Sequence, residues 1–244
     1  FKNKGINVFL EALNRLNRDK NLKKKVLAFV NVPSWVGDPR EDLLERLNSK
    51  KIFTTPLTCP LITHWLHNMT HDQVLDMLKY LGMGNNLEDK VKVIFVPCYL
   101  DGFDGIINKH YYDIVLCEDL TVYPSYYEPW GYTPLESVAF KVPTITTDLA
   151  GFGLWANTLK GGKYSEIEDG VKVIHRSDYN YSEVADVIRD TIVDFSAKSD
   201  TEVKKIRKNA ASVAEKALWK HFIRYYYEAY DIALCNAQKR NSQA

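Results

Sequence analysis

Cysteine is scarce: Cys59, Cys98, Cys117 and Cys235 are the only four in 244 residues, with no C-x-x-C pair and no dense spacing. That excludes a disulfide-stapled scaffold, and Cys98 and Cys117, set in apolar runs, read as reduced, buried side chains. An excess of either charge is missing too. Thirty-two Lys and Arg against 31 Asp and Glu leave +1, so no net field draws the chain to nucleic acid or to an anionic membrane. No apolar run approaches the ~20 residues that cross a bilayer. No signal peptide opens the chain, which points to the cytoplasm, and on that view the sequons Asn68-Met-Thr70 and Asn180-Tyr-Ser182 are chance matches. Internal repeats, low-complexity tracts and clear linkers are absent as well. The first residue is Phe1 rather than methionine, and the chain reads as a fragment.

What is present is an alternation of apolar runs and amphipathic segments. Ile6, Phe9, Leu10, Leu13 and Leu16 repeat with helical spacing, and Lys25–Val32 and Val91–Val96 are short apolar runs, each ended by proline. Asp38-Pro39 predicts a helix start over 38–47, with Asp38 as N-cap and Pro39 in the first turn. A helix is expected over 71–81, closed by Gly82, and a short one over 109–118. Strands are expected at 121–123, 143–147 and 171–174, and helices at 133–140 and 182–196. Leu149–Leu154 reads as a glycine turn, and 202–233 as one long helix or a pair. The pattern predicts an α/β fold, a Rossmann-like doubly wound parallel sheet over residues 1–198, with a helical C-terminal extension over 199–244 packing on it.

The segment that organises this order is Tyr123-Pro-Ser-Tyr-Tyr-Glu-Pro-Trp-Gly-Tyr-Thr-Pro-Leu-Glu136. It joins a strand to a helix, and in open parallel sheets ligands bind where strand ends meet helix N-termini. Thr133-Pro-Leu-Glu136 has the form of a capping box, so Glu136 has a structural explanation in its own helix. Glu128 has none: it precedes a proline, holds no cap position and has no local basic partner. His64, His67 and His71 suggest a metal only if helical, and no further ligand completes the set. Lys4, before a glycine and a helix, reads on spacing alone as a solvated lysine. The basic run Lys204, Lys205, Arg207 and Lys208 reads as a solvated helix face.

That motif, followed by Val142–Thr147 and Gly151-Phe-Gly153, resembles the eukaryotic-type glycogen synthases, retaining glycosyltransferases of the two-Rossmann-domain GT-B fold. Phe1-Lys-Asn-Lys-Gly5 and His67-Asn-Met69 are similar to further landmarks of that family. The resemblance implies that this chain is the C-terminal, nucleotide-binding half of such an enzyme. It implies glucose transfer from UDP-glucose or ADP-glucose to the non-reducing end of glycogen or another α-1,4-glucan, with no metal or other cofactor. By position, Glu128 would be the catalytic residue at the donor sugar. Lys4 would meet the pyrophosphate and Tyr111 the base. Trp130, Gly131 and Tyr132 would line sugar and phosphate largely through backbone N–H groups. Thr133 would bind phosphate and Glu136 the ribose hydroxyls.

Two departures from the family pattern stand out. The segment between residue 47 and His67 is short where the family carries helical insert material that supports oligomers, which leaves a homo-oligomer open. The basic helix offers mainly lysine, which lacks the bidentate fork for phosphate, so control by glucose 6-phosphate is not implied. Both features suit a prokaryotic member. The partner Rossmann domain that a GT-B enzyme needs is missing, so the chain alone is expected to be inactive. Other retaining GT-B transferases, making sucrose, trehalose or a bacterial surface glycan, and a non-catalytic nucleotide- or glucan-binding module are the alternatives.

Overall fold

In the computed structural model, which describes residues 1–242, helix α1 (Ile6–Arg18) is the centre of the larger core. Val8, Leu10, Ala12, Leu13 and Leu16 are all at most 1% exposed. Strands β1 (Val26–Asn31), β2 (Val36–Pro39) and β3 (His64–Leu66) follow, with helix α2 (Glu41–Asn48) between the last two. Helix α3 (Gln73–Tyr80) then leads to strand β4 (Val91–Val96). The second half runs α4 (Tyr111–Val115), β5 (Thr121–Val122), α5 (Tyr132–Ala139), β6 (Thr144–Thr147), α6 (Gly151–Thr158) and β7 (Val171–Ile174). Three helices finish the described chain: α7 (Tyr181–Ala197), α8 (Asp200–Lys216) and α9 (Trp219–Asn241).

The fold is α/β, and its parallel strands bear out the alternation read from the sequence. They divide, however, into separate ladders. β1 pairs with β4 in parallel, Val26 opposite Val91 through Asn31 opposite Val96. β5, β6 and β7 form a second parallel ladder, with Thr144 between Thr121 and Val171. β1 and β5 each pair on one side only, and their free sides line a common cleft. β2 and β3 form a small antiparallel pair.

Three local expectations need correcting. The helix expected from Asp38 starts at Glu41, and Asp38-Pro39 closes β2 instead. The cause is Arg40, fully buried, whose guanidinium donates to the Ile62 carbonyl at 3.1 Å and to the Thr58 carbonyl at 2.6 Å while pairing with Asp42. Such long-range donors outweigh a local cap signal. Leu149–Leu154 is a helix start rather than a turn, because α6 begins at Gly151. A Cβ at Gly151 would collide with the Pro129 carbonyl, and one at Gly153 with that of Thr147, so these glycines serve close packing. Cys117 is exposed rather than buried; all four cysteines are free thiols.

The C-terminal helices differ in kind. α8 places Ala210 and Val213 in the core around Val138 and Phe152. α9 has no buried residue, and it meets the rest through Phe222, whose ring lies 5.6 Å from Trp130 and 5.5 Å from Trp155. No described helix is long and apolar enough to cross a membrane. Residues 243 and 244, the end of the expected extension, lie outside the described ones.

Candidate active site

The start of α1 and the loop that follows β5 are drawn together at Gly5. Its φ of +68° suits glycine, and a Cβ there would overlap the Pro124 carbonyl, so only glycine allows this approach. Tyr126 N–H donates to the Asn3 carbonyl at 2.7 Å, extending the contact. These two contacts seat the first turn of α1 against the loop that carries Glu128.

Glu128 itself is fixed by backbone. Its N–H donates to the Leu149 carbonyl at 3.2 Å and its carbonyl accepts from Gly151 N–H at 3.1 Å. Its carboxylate forms an ion pair with the Lys4 ammonium, 124 residues away in sequence. Lys4 therefore is not the unpaired lysine its local sequence suggests, and Glu128 has a basic partner after all. The side chains remain 57% and 25% exposed, and ion pairs this open are worth about 0–1 kcal/mol. An incoming dianion can take the lysine at little cost.

The cleft between β1 and β5 has a volume of about 930 Å³, and Lys4, Tyr111, Glu128 and Thr133 all line it. That size suits a small-molecule site. The Tyr111 hydroxyl meets that of Tyr123 at 3.2 Å, which in turn meets Ser137 Oγ at 2.9 Å. Burial, with the neighbouring Tyr123 and Glu136, pushes the Tyr111 hydroxyl far above its usual range, so it stays protonated.

The capping box expected at Thr133–Glu136 does not form. α5 starts at Tyr132, and its N-cap is Gly131 at φ 104°, with no capping side chain. A glycine in that conformation starts the helix two residues earlier than the threonine would. Glu136 is thereby released from its own helix, and its Oε1 accepts from the Tyr112 hydroxyl at 2.9 Å. That bond raises the Tyr112 hydroxyl above its ordinary pKa. The first-turn N–H groups of α5 are left without a side-chain cap beside Thr133.

The other residues singled out lie around this centre. The Trp130 ring packs edge-on to Phe152 and Phe222 and beside Trp155, so its side chain belongs to an aromatic cluster. Tyr132 is 72% exposed. Among the histidines, His67 stacks on Trp35, whereas His64 meets Cys98 and Asp104, all three ligand atoms within 4.8 Å. Both His64 nitrogens are occupied: Nε2 donates to the Asp104 carbonyl at 2.7 Å and Nδ1 accepts from the Thr63 hydroxyl at 2.9 Å. Burial and the Asp104 charge push the Cys98 thiol up to about 11. The trio as it stands holds a turn.

A family model described as glycogen synthase matches residues 39–243. The chain belongs to the glycogen synthase family. The Neurospora crassa glycogen [starch] synthase is 26% identical over 293 aligned positions, covering 97% of this chain and 41% of that protein. Isoform 1 of Saccharomyces cerevisiae is 30% identical over 178 positions, 73% of this chain and 25% of the relative. The human liver enzyme is 25% identical, covering 97% and 40%. The chain thus spans about two fifths or less of these relatives. The Neurospora alignment, at 293 positions, is longer than the 244-residue chain, so that family member carries extra residues inside the matched region. A solved structure of Anabaena Alr3699/HepE in complex with UDP overlaps at a TM-score of 0.46 with 16% identity, over 88% of this chain and 42% of that one.

Some residues of this family member that stand near the site were missed in the sequence. Tyr123 and Ser137, which support Tyr111, fall inside the strand expected at 121–123 and the helix expected at 133–140. Asp148, His175 and Arg176 follow β6 and β7 directly. Their position at strand carboxyl ends is the signal that could have found them.

Proposed function

We propose that this chain is the donor-binding, C-terminal half of a GT-B glycogen synthase, which transfers glucose from UDP-glucose to the non-reducing end of an α-1,4-glucan with retention. The observation that carries the reading is the meeting of Lys4 and Glu128 at the mouth of the cleft. A lysine beside a helix N-terminus suits a diphosphate. A carboxylate beside it suits the sugar whose anomeric carbon gains positive charge as the phosphate departs.

In this reading Lys4 leaves Glu128 for the donor phosphates, and Glu128 turns to the sugar hydroxyls and the oxocarbenium-like carbon. Thr133 and the uncapped first turn of α5 hold phosphate, Tyr111 meets the base and Glu136 the ribose. Gly131 and the backbone of Trp130 and Tyr132 shape the sugar pocket, while the Trp130 ring anchors the loop from behind. No metal or cofactor is invoked. The partners are the sugar nucleotide, the glucan and the second Rossmann domain, and the compartment is the cytoplasm.

The test is Glu128→Gln in the longer protein that carries this chain, assayed for transfer from labelled UDP-glucose to glycogen. Removing one preorganised charge-stabilising group lowers kcat by about 10²–10³. Transfer at a near-normal rate with UDP still bound would remove Glu128 from the chemistry. The isolated 244-residue chain is expected to show no transfer.

A further inference from the structure

A second cluster stands beside Glu128 and is not used by the donor site. Thr147 pairs with Ile174 at the end of the β6–β7 ladder, so Asp148 and His175 emerge side by side. Asp148 Oδ2 accepts from His175 Nδ1 and from the Tyr164 hydroxyl, each at 2.7 Å, while Oδ1 accepts from Arg176 N–H at 2.9 Å. Burial alone would raise this carboxyl, but the three donors outweigh it and hold it below the usual range. With Nδ1 donating, His175 presents Nε2 as an acceptor on a side chain 64% exposed. Tyr164 is 46% exposed beside it.

The cluster continues to the loop. The Tyr126 hydroxyl donates to Asp178, and the Tyr126 ring lies 5.7 Å from the Arg176 guanidinium. Arg176 is 6% exposed, and its Nε and Nη1 meet no acceptor among the described residues. Tyr126 is two residues from Glu128, and Asp148 adjoins Leu149, whose carbonyl holds the Glu128 N–H.

An edge cap for β6 and β7 would account for Asp148 and the Arg176 N–H. It would not account for an oriented, exposed imidazole, an exposed tyrosine ring, or a buried guanidinium that faces the Tyr126 and Tyr181 rings but leaves Nε and Nη1 without an acceptor among the described residues. We propose that Tyr126, Asp148, Tyr164, His175, Arg176 and Asp178 form a subsite for the acceptor glucan. The assignment rests on the reading of the chain as part of a glucan-extending transferase. A pyranose ring offers an apolar face to Tyr164 and hydroxyls that both donate and accept. Asp178 and His175 Nε2 accept from those hydroxyls, and Arg176 donates to the sugar oxygens that reach past Tyr126.

Maltoheptaose titrated into the chain by calorimetry tests this, with UDP titrated separately. Tyr164→Ala should weaken maltoheptaose binding by about tenfold, the scale of one lost contact of ~1.4 kcal/mol, and Tyr164→Phe, which keeps the ring, by less. UDP affinity should be unchanged in both, with melting temperatures confirming the fold. Should Tyr164→Ala unfold, His175→Gln carries the same comparison. Maltoheptaose that does not bind, or binds wild type and these variants equally, overturns the subsite. Failure of the wild-type chain to bind UDP, with the Tyr164 effect on maltoheptaose intact, would instead count against the donor site alone.

Discussion

Lys4 and Glu128 illustrate how a weak contact can matter for function. Their ion pair is too exposed to stabilise the fold by more than about 1 kcal/mol. In the proposed function its value is that each side chain is held beside the other's ligand. Lys4→Ala should therefore leave the melting temperature nearly unchanged while weakening UDP binding by about ten- to a hundredfold, as expected when one charged hydrogen bond of ~1.5–3 kcal/mol is lost. An unchanged UDP affinity by calorimetry would detach Lys4 from the donor. Glu128 was legible in the sequence because no local role explained it. Its partner was not, because 124 residues separate them and they meet only through tertiary contacts, Gly5 against Pro124 and Tyr126 N–H to the Asn3 carbonyl. Glu136 was misread for the opposite reason: a valid local capping pattern lost to a glycine start at residue 131.

At the scale of elements, the apolar runs at Val26–Asn31 and Val91–Val96 were legible because β1 and β4 need only hydrophobic length to be recognised. Elements placed by tertiary contacts were not. The Gly151-Phe-Gly153 segment punctuates like a turn, yet its glycines let α6 approach the Pro129 and Thr147 carbonyls. Gly151→Ala should cost stability on the scale of core overpacking, about 1–3 kcal/mol, read as a lower urea midpoint. It should also displace the Glu128 loop, which bonds to Gly151 N–H. A mutant with wild-type stability would show that α6 can shift freely. Asp72 offers a control away from the site. Its side chain accepts from Val74 N–H and Leu75 N–H at the start of α3, so Asp72→Ala should cost about 1 kcal/mol without touching UDP binding.

At the scale of the molecule, the α/β class was legible from the alternation of elements, but the division of the parallel strands into two ladders was not. Strand neighbours depend on which edges meet, and β5, only two residues long, carries little of that information. The cleft this division leaves has charged residues at its far end, among them Glu118. Burial, with Asp119 nearby, pushes the Glu118 carboxyl up to about 7. The folded chain thus holds this proton more tightly than the unfolded one. Its contribution is complete below an ordinary 4.5 and is lost as pH rises through about 7. Melting temperature followed across that window should fall for wild type and should fall less for Glu118→Gln; parallel curves would contradict the assignment.

The proposed donor site ties these scales together, and nuclear magnetic resonance of the labelled chain titrated with UDP tests it most directly. Amide shifts are expected to cluster at Lys4–Ile6, Tyr111 and Gly131–Glu136, the segments that bring Lys4, Tyr111 and Thr133 to the cleft. Shifts confined to other surfaces, or none at saturating UDP, would contradict the account.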